Sequence, residues 1–313
     1  MEIENKTEIL VTVISIYYNR ENYIYESIKS LLNQTLKNFN IIIVDDCSTD
    51  NTYQKILKTV DNSPYVKVLK NQMNKGFTKT LIETISTVNT KYVAIHGAGD
   101  ISHPERLEYQ LSYLENNKDV GLVTCDVSNI KGSKFYKTNI TSDDLLIKNR
   151  ITHGSVMFRL DIYHEAGGYR DFFTTRQDKD LWFRMSTITK LHFINSKLYT
   201  EKQVENSVSK SASITGLPLL LSEFAKYLHI IRLKTGIDLL DKYGAYSALY
   251  FQPSRANYLF YRMILSNLKK KRWDSISNAF DILILINKRH FRVFIFYIFK
   301  YMIVFFKYFS PKK

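Results

Sequence analysis

Val93-Ala94-Ile95-His96-Gly97-Ala98-Gly99-Asp100-Ile101-Ser102-His103-Pro104-Glu105-Arg106-Leu107 reads as a buried strand that runs into a loop with one carboxylate and then into a helix. The apolar run from Tyr92 to Ile95 has strand length and is bounded by Gly97 and Gly99, which fits a strand covered on both faces, as in a parallel sheet. In an open α/β sheet, ligands bind outside the carboxyl ends of the strands. Asp100 therefore falls at the mouth of a crevice, on a backbone that two glycines allow to bend closely around a ligand. Pro104 fits the first turn of the helix, with Ser102 or His103 as its cap. A plainer reading stands beside this one: Asp and Gly favour turns for conformational reasons alone, and Asp100 is then a solvated turn residue.

Outward from this stretch, apolar strands alternate with amphipathic helices between Leu10 and Leu122. Leu10 to Tyr18 is β-branched and aromatic, Tyr23 to Leu32 sets Ile24, Ile28, Leu31 and Leu32 at helical spacing, and Ile41 to Val44 is a solid apolar strand. Asp50 or Thr49 can cap a helix through Ile56 and Val60; Val66 to Leu69 gives a further strand and Thr80 to Val88 a further helix. This alternation predicts an α/β fold with a doubly wound, mainly parallel sheet flanked by helices. After Asp119 the elements become shorter and mixed: strands at Val120 to Cys125 and Ser155 to Phe158, a Gly167-Gly168 turn, and a helix around Asp180 to Met185. From about Thr215 the segments read as helical, and Ser and Lys crowd together at Ser207 to Ile214. The expected organisation is a domain over 1–212 followed by a helical, basic and aromatic region over 213–313.

The 313 residues are 45% hydrophobic, enough to bury a large core, and carry a net charge of +14. Such charge serves nucleic acid, anionic lipid or a diphosphate-bearing substrate equally, so its location decides. The acidic strand-end loops argue against nucleic acid. The first residues, Met1 to Lys6, include two acids and no apolar core of a leader, and Cys47 and Cys125 form no paired framework; both point to a reduced, cytoplasmic setting.

A second carboxylate cluster, Asp45-Asp46-Cys47-Ser48-Thr49-Asp50, follows the strand Ile41 to Val44. Its acids and hydroxyls offer acceptors for a base or a ribose, while Thr49 or Asp50 caps the next helix. The first strand ends in Tyr18-Asn19-Arg20, and a parallel sheet sets these ends side by side. An aromatic, an amide and carboxylates at one crevice suit a nucleoside. No GxGxxG follows the first strand and no GxxxxGK[ST] occurs, so neither a dinucleotide fold nor a P-loop is indicated.

Several ordered segments carry a family resemblance: Thr12 to Asn19, Ser30-Leu31-Leu32-Asn33-Gln34-Thr35, Ile41 to Asp50, Asn74-Lys75-Gly76, His103-Pro104-Glu105-Arg106-Leu107, and Gln177-Asp178-Lys179-Asp180-Leu181-Trp182-Phe183-Arg184. Together, over roughly residues 10 to 200, they resemble the successive signatures of glycosyltransferase family 2. The resemblance implies a GT-A fold and inverting transfer of a sugar from a nucleotide-sugar donor, usually UDP-linked and usually with Mg²⁺ or Mn²⁺, to a saccharide or lipid-linked acceptor in surface polysaccharide or glycolipid synthesis. It assigns Tyr18, Asn19, Asp45, Asp46, Lys75, Gly76 and Arg106 to the donor, Asp178 to the general base, and His153, Asp180, Trp182 and Arg184 to the acceptor side. Relatives often have Glu where Gln177 stands, and Asp180 is a rival base. For Trp182 the plainer reading is core packing.

One departure matters. Relatives carry a metal-holding Asp-x-Asp where this chain has Gly97 and Gly99, and only Asp100 is retained. One carboxylate with a diphosphate can still satisfy a hard cation; without a metal, Lys75, Arg106 or a helix N-terminus has to neutralise the leaving group. The missing acids also motivate an alternative, a catalytically weak nucleotide-sugar-binding module.

The segment from Phe291 to Phe309 is nearly all aromatic or aliphatic and spans about 28 Å as a helix. Arg292, Lys300 and Lys307 fall with Lys288 and Arg289 within an arc of about 120°, which favours a helix lying in the membrane interface. With the basic cluster Lys269-Lys270-Lys271-Arg272, it predicts a peripheral protein on an anionic inner membrane face.

Overall fold

The structure is a computed structural model that describes residues 9–128, 138–202 and 217–251, with Ile276 and Phe280. The chain divides into two compact units, Met1–Val204 and Glu205–Lys313.

The first unit is built on a nine-stranded sheet. In chain order its strands are β1 Val11–Tyr17, β2 Phe39–Asp45, β3 Val66–Lys70, β4 Tyr92–His96, β5 Ile101–Ser102, β6 Val120–Val127, β7 Asn139–Ile140, β8 Met157–Arg159 and β9 Lys190–Thr200. Their helices are α1 Ile24–Leu32, α2 Thr52–Val60, α3 Phe77–Ile85, α4 Arg106–Asn116, α5 Ser142–Ile147, α6 Leu160–Glu165 and α7 Gln177–Met185. The spatial order is β3-β2-β1-β4-β8-β6-β9-β5, with β7 beside β9.

The half of the sheet from β3 to β4 is parallel, as the alternation of strands and helices requires. Beyond β4 the sheet is mixed, because β8 inserts antiparallel between β4 and β6. β1 and β4 are buried along their whole length, which explains why each reads as an unbroken apolar run and not as alternation. On one face of the sheet, Val13, Ile41, Ile43 and Ala94 pack with Ile24, Ile28 and Leu31 of α1 and Leu107 and Leu114 of α4. Full burial of each large aliphatic side chain contributes about 1.5–3 kcal/mol, so this layer fixes which way the strand ends face.

Several boundaries differ from the sequence reading, and the helix expected over Thr80 to Val88 lies three residues earlier, at Phe77–Ile85. The helix expected at Pro104 starts at Arg106, after a turn in which the Arg106 N–H donates to the His103 carbonyl. The strand expected from Ser155 starts at Met157, because His153–Ser155 form a single 3-10 turn. Asp50 does close the start of α2, accepting the Thr52 N–H at 3.0 Å.

In the second unit, α8 Leu217–Thr235 buries Leu221, Phe224, Ala225 and Leu228, and the short α9 Leu239–Tyr243 is capped by Asp238, which accepts the N–H groups of Leu240 and Asp241. Among the described residues, no helix is long and apolar enough to cross a membrane. The expected boundary at 212/213, the basic cluster at 269–272 and the aromatic stretch at 291–309 lie outside the described residues.

Candidate functional site

β1 lies between β2 and β4, and the register pairs Tyr17 with Asp45 and Ser15 with His96, so three strand ends stand side by side. Asn19 turns the chain after β1 in the left-handed region, at φ 50°. Its N–H donates to Ser48 Oγ at 3.0 Å and its Oδ1 accepts the Thr49 N–H at 2.9 Å. The two strand-end loops are thereby joined, and Tyr18 is left 43% exposed at their rim.

Asp45 and Asp46 are both buried. Asp45 Oδ2 accepts the Ser48 N–H at 3.1 Å, while its Oδ1 is enclosed without a partner. Asp46 differs from the expected base acceptor, because protein donors already engage it. Its Oδ1 takes Asn71 Nδ2 at 2.7 Å, the Lys75 N–H at 3.0 Å and Thr80 Oγ1 at 3.1 Å, and its Oδ2 takes the Gly76 N–H at 2.9 Å. A carboxylate has about four acceptor sites. Asp46 thus pins the segment before α3, where Gly76 adopts φ 82° at the helix start. Lys75 serves through its backbone; its ammonium pairs with Glu83 at 2.6 Å and is not free for a diphosphate.

The loop after β4 is held from beneath. Tyr199, brought in by β9, accepts the Gly97 N–H at 2.8 Å and donates to Asp100 Oδ2 at 2.7 Å. The Lys202 N–H donates to Asp100 Oδ1 at 2.9 Å, and the Gly99 N–H donates to Ser27 Oγ at 3.2 Å. Burial raises the Asp100 carboxyl above its usual range, against the lowering effect of the Tyr199 and Lys202 hydrogen bonds. His96 bridges Ser27 Oγ at 3.0 Å and Ser102 Oγ at 3.1 Å. Burial, aided by the Arg106 charge, pushes its imidazole down to about 3, so it is neutral at physiological pH.

Arg106 does not reach a donor. It is fully buried, and its guanidinium donates to Gln110 Oε1, Ser102 Oγ and the carbonyls of Ile95 and Val156. It is a strut under the loop.

The residues around Asp100 do not fit a divalent cation as an Asp-x-Asp loop would. A Cβ on Gly97 would lie 2.1 Å from Asp100 Oδ2, and Gly99 sits at φ 102°. A side chain at 97 would have to displace the Asp100 carboxylate, and one at 99 would strain the backbone. Among the described residues, no group of three or more His, Cys, Asp or Glu side chains could hold a metal ion.

The third part of the site is the start of α7. Asp178, in its first turn, is half-buried and has no hydrogen-bond or ion-pair partner among the described residues. His153 and Tyr169 feel its charge, and His153 Nε2 meets Tyr169 Oη at 2.7 Å. Burial lowers the His153 imidazole, against the pull of Asp178, and the same burial carries Tyr169 well above its ordinary value. The dyad is therefore neutral. Asp180, Trp182 and Arg184 do not face an acceptor. Asp180 is buried between Arg170 and Arg184, Arg184 also donates to the carbonyls of Ala166 and Gly168, and Trp182 is fully buried beside His153 and Tyr169.

Three contacts bring these parts together. A Cβ on Gly154 would lie 2.2 Å from Tyr199 Oη and 3.0 Å from the Gly97 nitrogen, so the turn carrying His153 is pressed against the loop carrying Asp100. Phe77, next to Gly76, meets His153 edge-on at 5.6 Å. Thr78 Oγ1 donates to the Phe173 carbonyl at 2.9 Å, fixing the segment that leads to α7 against the start of α3. The sequence reading missed Tyr199, Ser27, Arg170 and Arg176. Arg176 is exposed and held at φ 64° immediately before α7. None of the four lies in a motif, and a positive φ at arginine leaves no mark in sequence.

Known proteins share this family and fold. The family model described as Glycosyl transferase family 2 matches residues 12–189, more than half of the chain. A protein of Bacillus subtilis whose name describes it as a glycosyltransferase, EpsE, is 33% identical over 184 residues, covering 56% of this chain and 66% of its own. The chain spans about half to two thirds of the length of the first curated relatives it matches. Among solved structures, S. aureus TarS in complex with UDP-GlcNAc superposes with a TM-score of 0.63 at 19% identity, over 88% of this chain and 81% of that one. Mannosyltransferase PcManGT from Pyrobaculum calidifontis, in complex with GDP-Man and Mn²⁺, gives 0.59 at 15% identity, over 96% and 88%.

Proposed function

The chain belongs to glycosyl transferase family 2 and has the GT-A fold, and on that premise we propose that it moves a sugar from a nucleotide-sugar donor, UDP-linked by preference, to a hydroxyl of a saccharide or lipid-linked acceptor, with inversion. One observation carries this reading. Asp178 is a carboxylate without a hydrogen-bond or ion-pair partner among the described residues, at a helix start pressed toward the strand ends, beside a neutral His153–Tyr169 dyad. A base must be unengaged and within reach of the proton it removes.

In the proposed reaction Asp178 accepts the proton of the acceptor hydroxyl while its oxygen attacks the anomeric carbon. The bond from that carbon to the phosphate oxygen breaks on the opposite face, and the nucleoside diphosphate leaves with the electron pair. The nucleoside lies along the Tyr18-Asn19 rim, with Asp45 and the Asp46-pinned Gly76 segment beneath it. His153 and Tyr169 shape the acceptor side and, being neutral, leave the Asp178 charge unquenched.

Synthesis of a surface polysaccharide or glycolipid at the inner membrane face accords with the basic, aromatic C-terminal sequence. A second reading, a nucleotide-sugar-binding module, draws on Gly97 and Gly99. Incubating the purified chain with a panel of nucleotide sugars, with mass spectrometry for donor turnover and calorimetry for UDP, separates the two. Binding with turnover supports transfer; binding without turnover on any donor or acceptor supports the module.

A further inference from the structure

Resting on the reading of the Asp45–Asp46 corner as the nucleotide end of the site, we infer that this chain receives the donor diphosphate without a protein-held divalent cation, on a loop that hydrogen bonds from Tyr199, Ser27 and Lys202 hold in place. The loop is not an Asp-x-Asp loop with its acids trimmed away. Asp100 folds back over Gly97, so that a side chain at position 97 would have to push the Asp100 carboxylate off its hydrogen bonds, Oδ2 lying 2.1 Å from an added Cβ. At position 99 the backbone, with φ 102°, lies where L-residues rarely go, and its N–H is taken by Ser27. Restoring the two acids would displace the Asp100 carboxylate from its partners and strain the backbone at 99.

The remaining carboxylate is a latch. Asp100 Oδ2 is covered by the Tyr199 hydroxyl and rests on Gly97, and Oδ1 accepts the Lys202 N–H. It ties the end of β4 to the chain leaving β9. A hard cation can be held by one carboxylate completed by diphosphate oxygens and water, but the one carboxylate of this loop accepts a hydrogen bond at each oxygen, from the Tyr199 hydroxyl and the Lys202 N–H, and is spent on the latch. The diphosphate charge then falls to protein cations. Arg176, exposed and without a side-chain partner among the described residues, stands two residues before Asp178.

Calorimetry on the full chain with UDP, in excess EDTA and in excess Mn²⁺, tests this without an acceptor. The expected result is a dissociation constant that agrees within about twofold between the two conditions, and that stays so in Asp100→Asn, with no chain-dependent loss of the free Mn²⁺ paramagnetic signal beyond that caused by UDP alone. Affinity that falls about tenfold or more in EDTA, a difference of about 1.4 kcal/mol, overturns the inference and leaves the nucleotide reading intact. A chain that binds no nucleoside diphosphate in either condition overturns the nucleotide reading, and the inference with it.

Discussion

Asp46, at the end of β2, and Asp178, in the first turn of α7, are held in opposite ways. Asp46 is buried and accepts four hydrogen bonds from Asn71, Lys75, Gly76 and Thr80. Asp178 is half-buried and has no hydrogen-bond or ion-pair partner among the described residues. A saturated carboxylate fixes backbone, and an unsaturated one can accept a proton. The difference separates architecture from chemistry at two positions that look alike in sequence, each an acid in an acid-rich segment.

Asp178→Asn should have the largest effect on transfer. The amide is isosteric and cannot take the acceptor proton, so transfer should fall by about 10²–10⁴. UDP affinity and the unfolding midpoint should match the parent, because no hydrogen bond is lost. Steady-state rates with calorimetry decide it, and lost UDP binding would move Asp178 to the donor side.

Asp46→Ala should do the reverse. It strips the acceptor from the buried Thr80 hydroxyl and from the Asn71, Lys75 and Gly76 donors, whose bonds are half-buried. Each group left unsatisfied costs about 1–3 kcal/mol where water cannot reach it, so a net loss of about 1–3 kcal/mol is expected in urea unfolding. UDP binding should weaken through the displaced Gly76 segment. Parental stability would show that Asp46 is not the fastener described.

His96 extends the comparison to the third strand end, where a neutral ring fixes the loop from beneath. Its imidazole is depressed from 6.5 to about 3. The folded state therefore keeps it neutral while the unfolded chain takes up a proton below pH 6.5, so this contribution is complete above that pH and is lost as pH falls toward 3. Between pH 7 and 5.5 the loss should be about 1 kcal/mol. His96→Gln, though less stable at pH 7, should lack that increment in paired urea titrations; parallel slopes would show that the ring titrates normally. The groups facing it are Ser27, Ser102, the Tyr199 ring at 5.8 Å and the Arg106 charge, with a backbone hydrogen bond at Asp100 acting in the opposite, raising direction.

Sequence made one half of this site legible and hid the other. β1, β2 and β4 are apolar runs ending in Tyr18-Asn19, Asp45-Asp46 and Gly97-Ala98-Gly99-Asp100, and strand ends in a parallel sheet lie together by topology. Trp182 takes the core packing that its plainer reading expects, whereas the burial of Asp180, Arg184 and Arg106 is not legible, because charge in a helix does not tell a solvated face from a buried one. That depends on partners far away in the chain: Arg170 for Asp180, and the Ile95 and Val156 carbonyls for Arg106. Tyr199 reaches Gly97 across 102 positions, a contact set by β9 joining β6 and β5 in the sheet.

The smallest expected effect is the sharpest test of what Asp46 holds. Lys75 follows the Asn71 to Asn74 segment, and family resemblance assigns its ammonium to the donor. In the structure that ammonium pairs with Glu83, with the two side chains 31% and 44% exposed. Exposed pairs of this kind contribute about 0–1 kcal/mol and are screened by salt. The atom of Lys75 that the site uses is the backbone nitrogen, 3.0 Å from Asp46 Oδ1, which every residue except proline supplies. Lys75→Ala should therefore leave stability within about 0.5 kcal/mol of the parent, and UDP affinity within about twofold, at moderate salt. A fall in UDP affinity of about tenfold that steepens at low salt would instead show that the lysine leaves Glu83 for the diphosphate when the nucleotide binds, and the division between a backbone-fixing corner and a reactive corner would then have to be redrawn at Lys75.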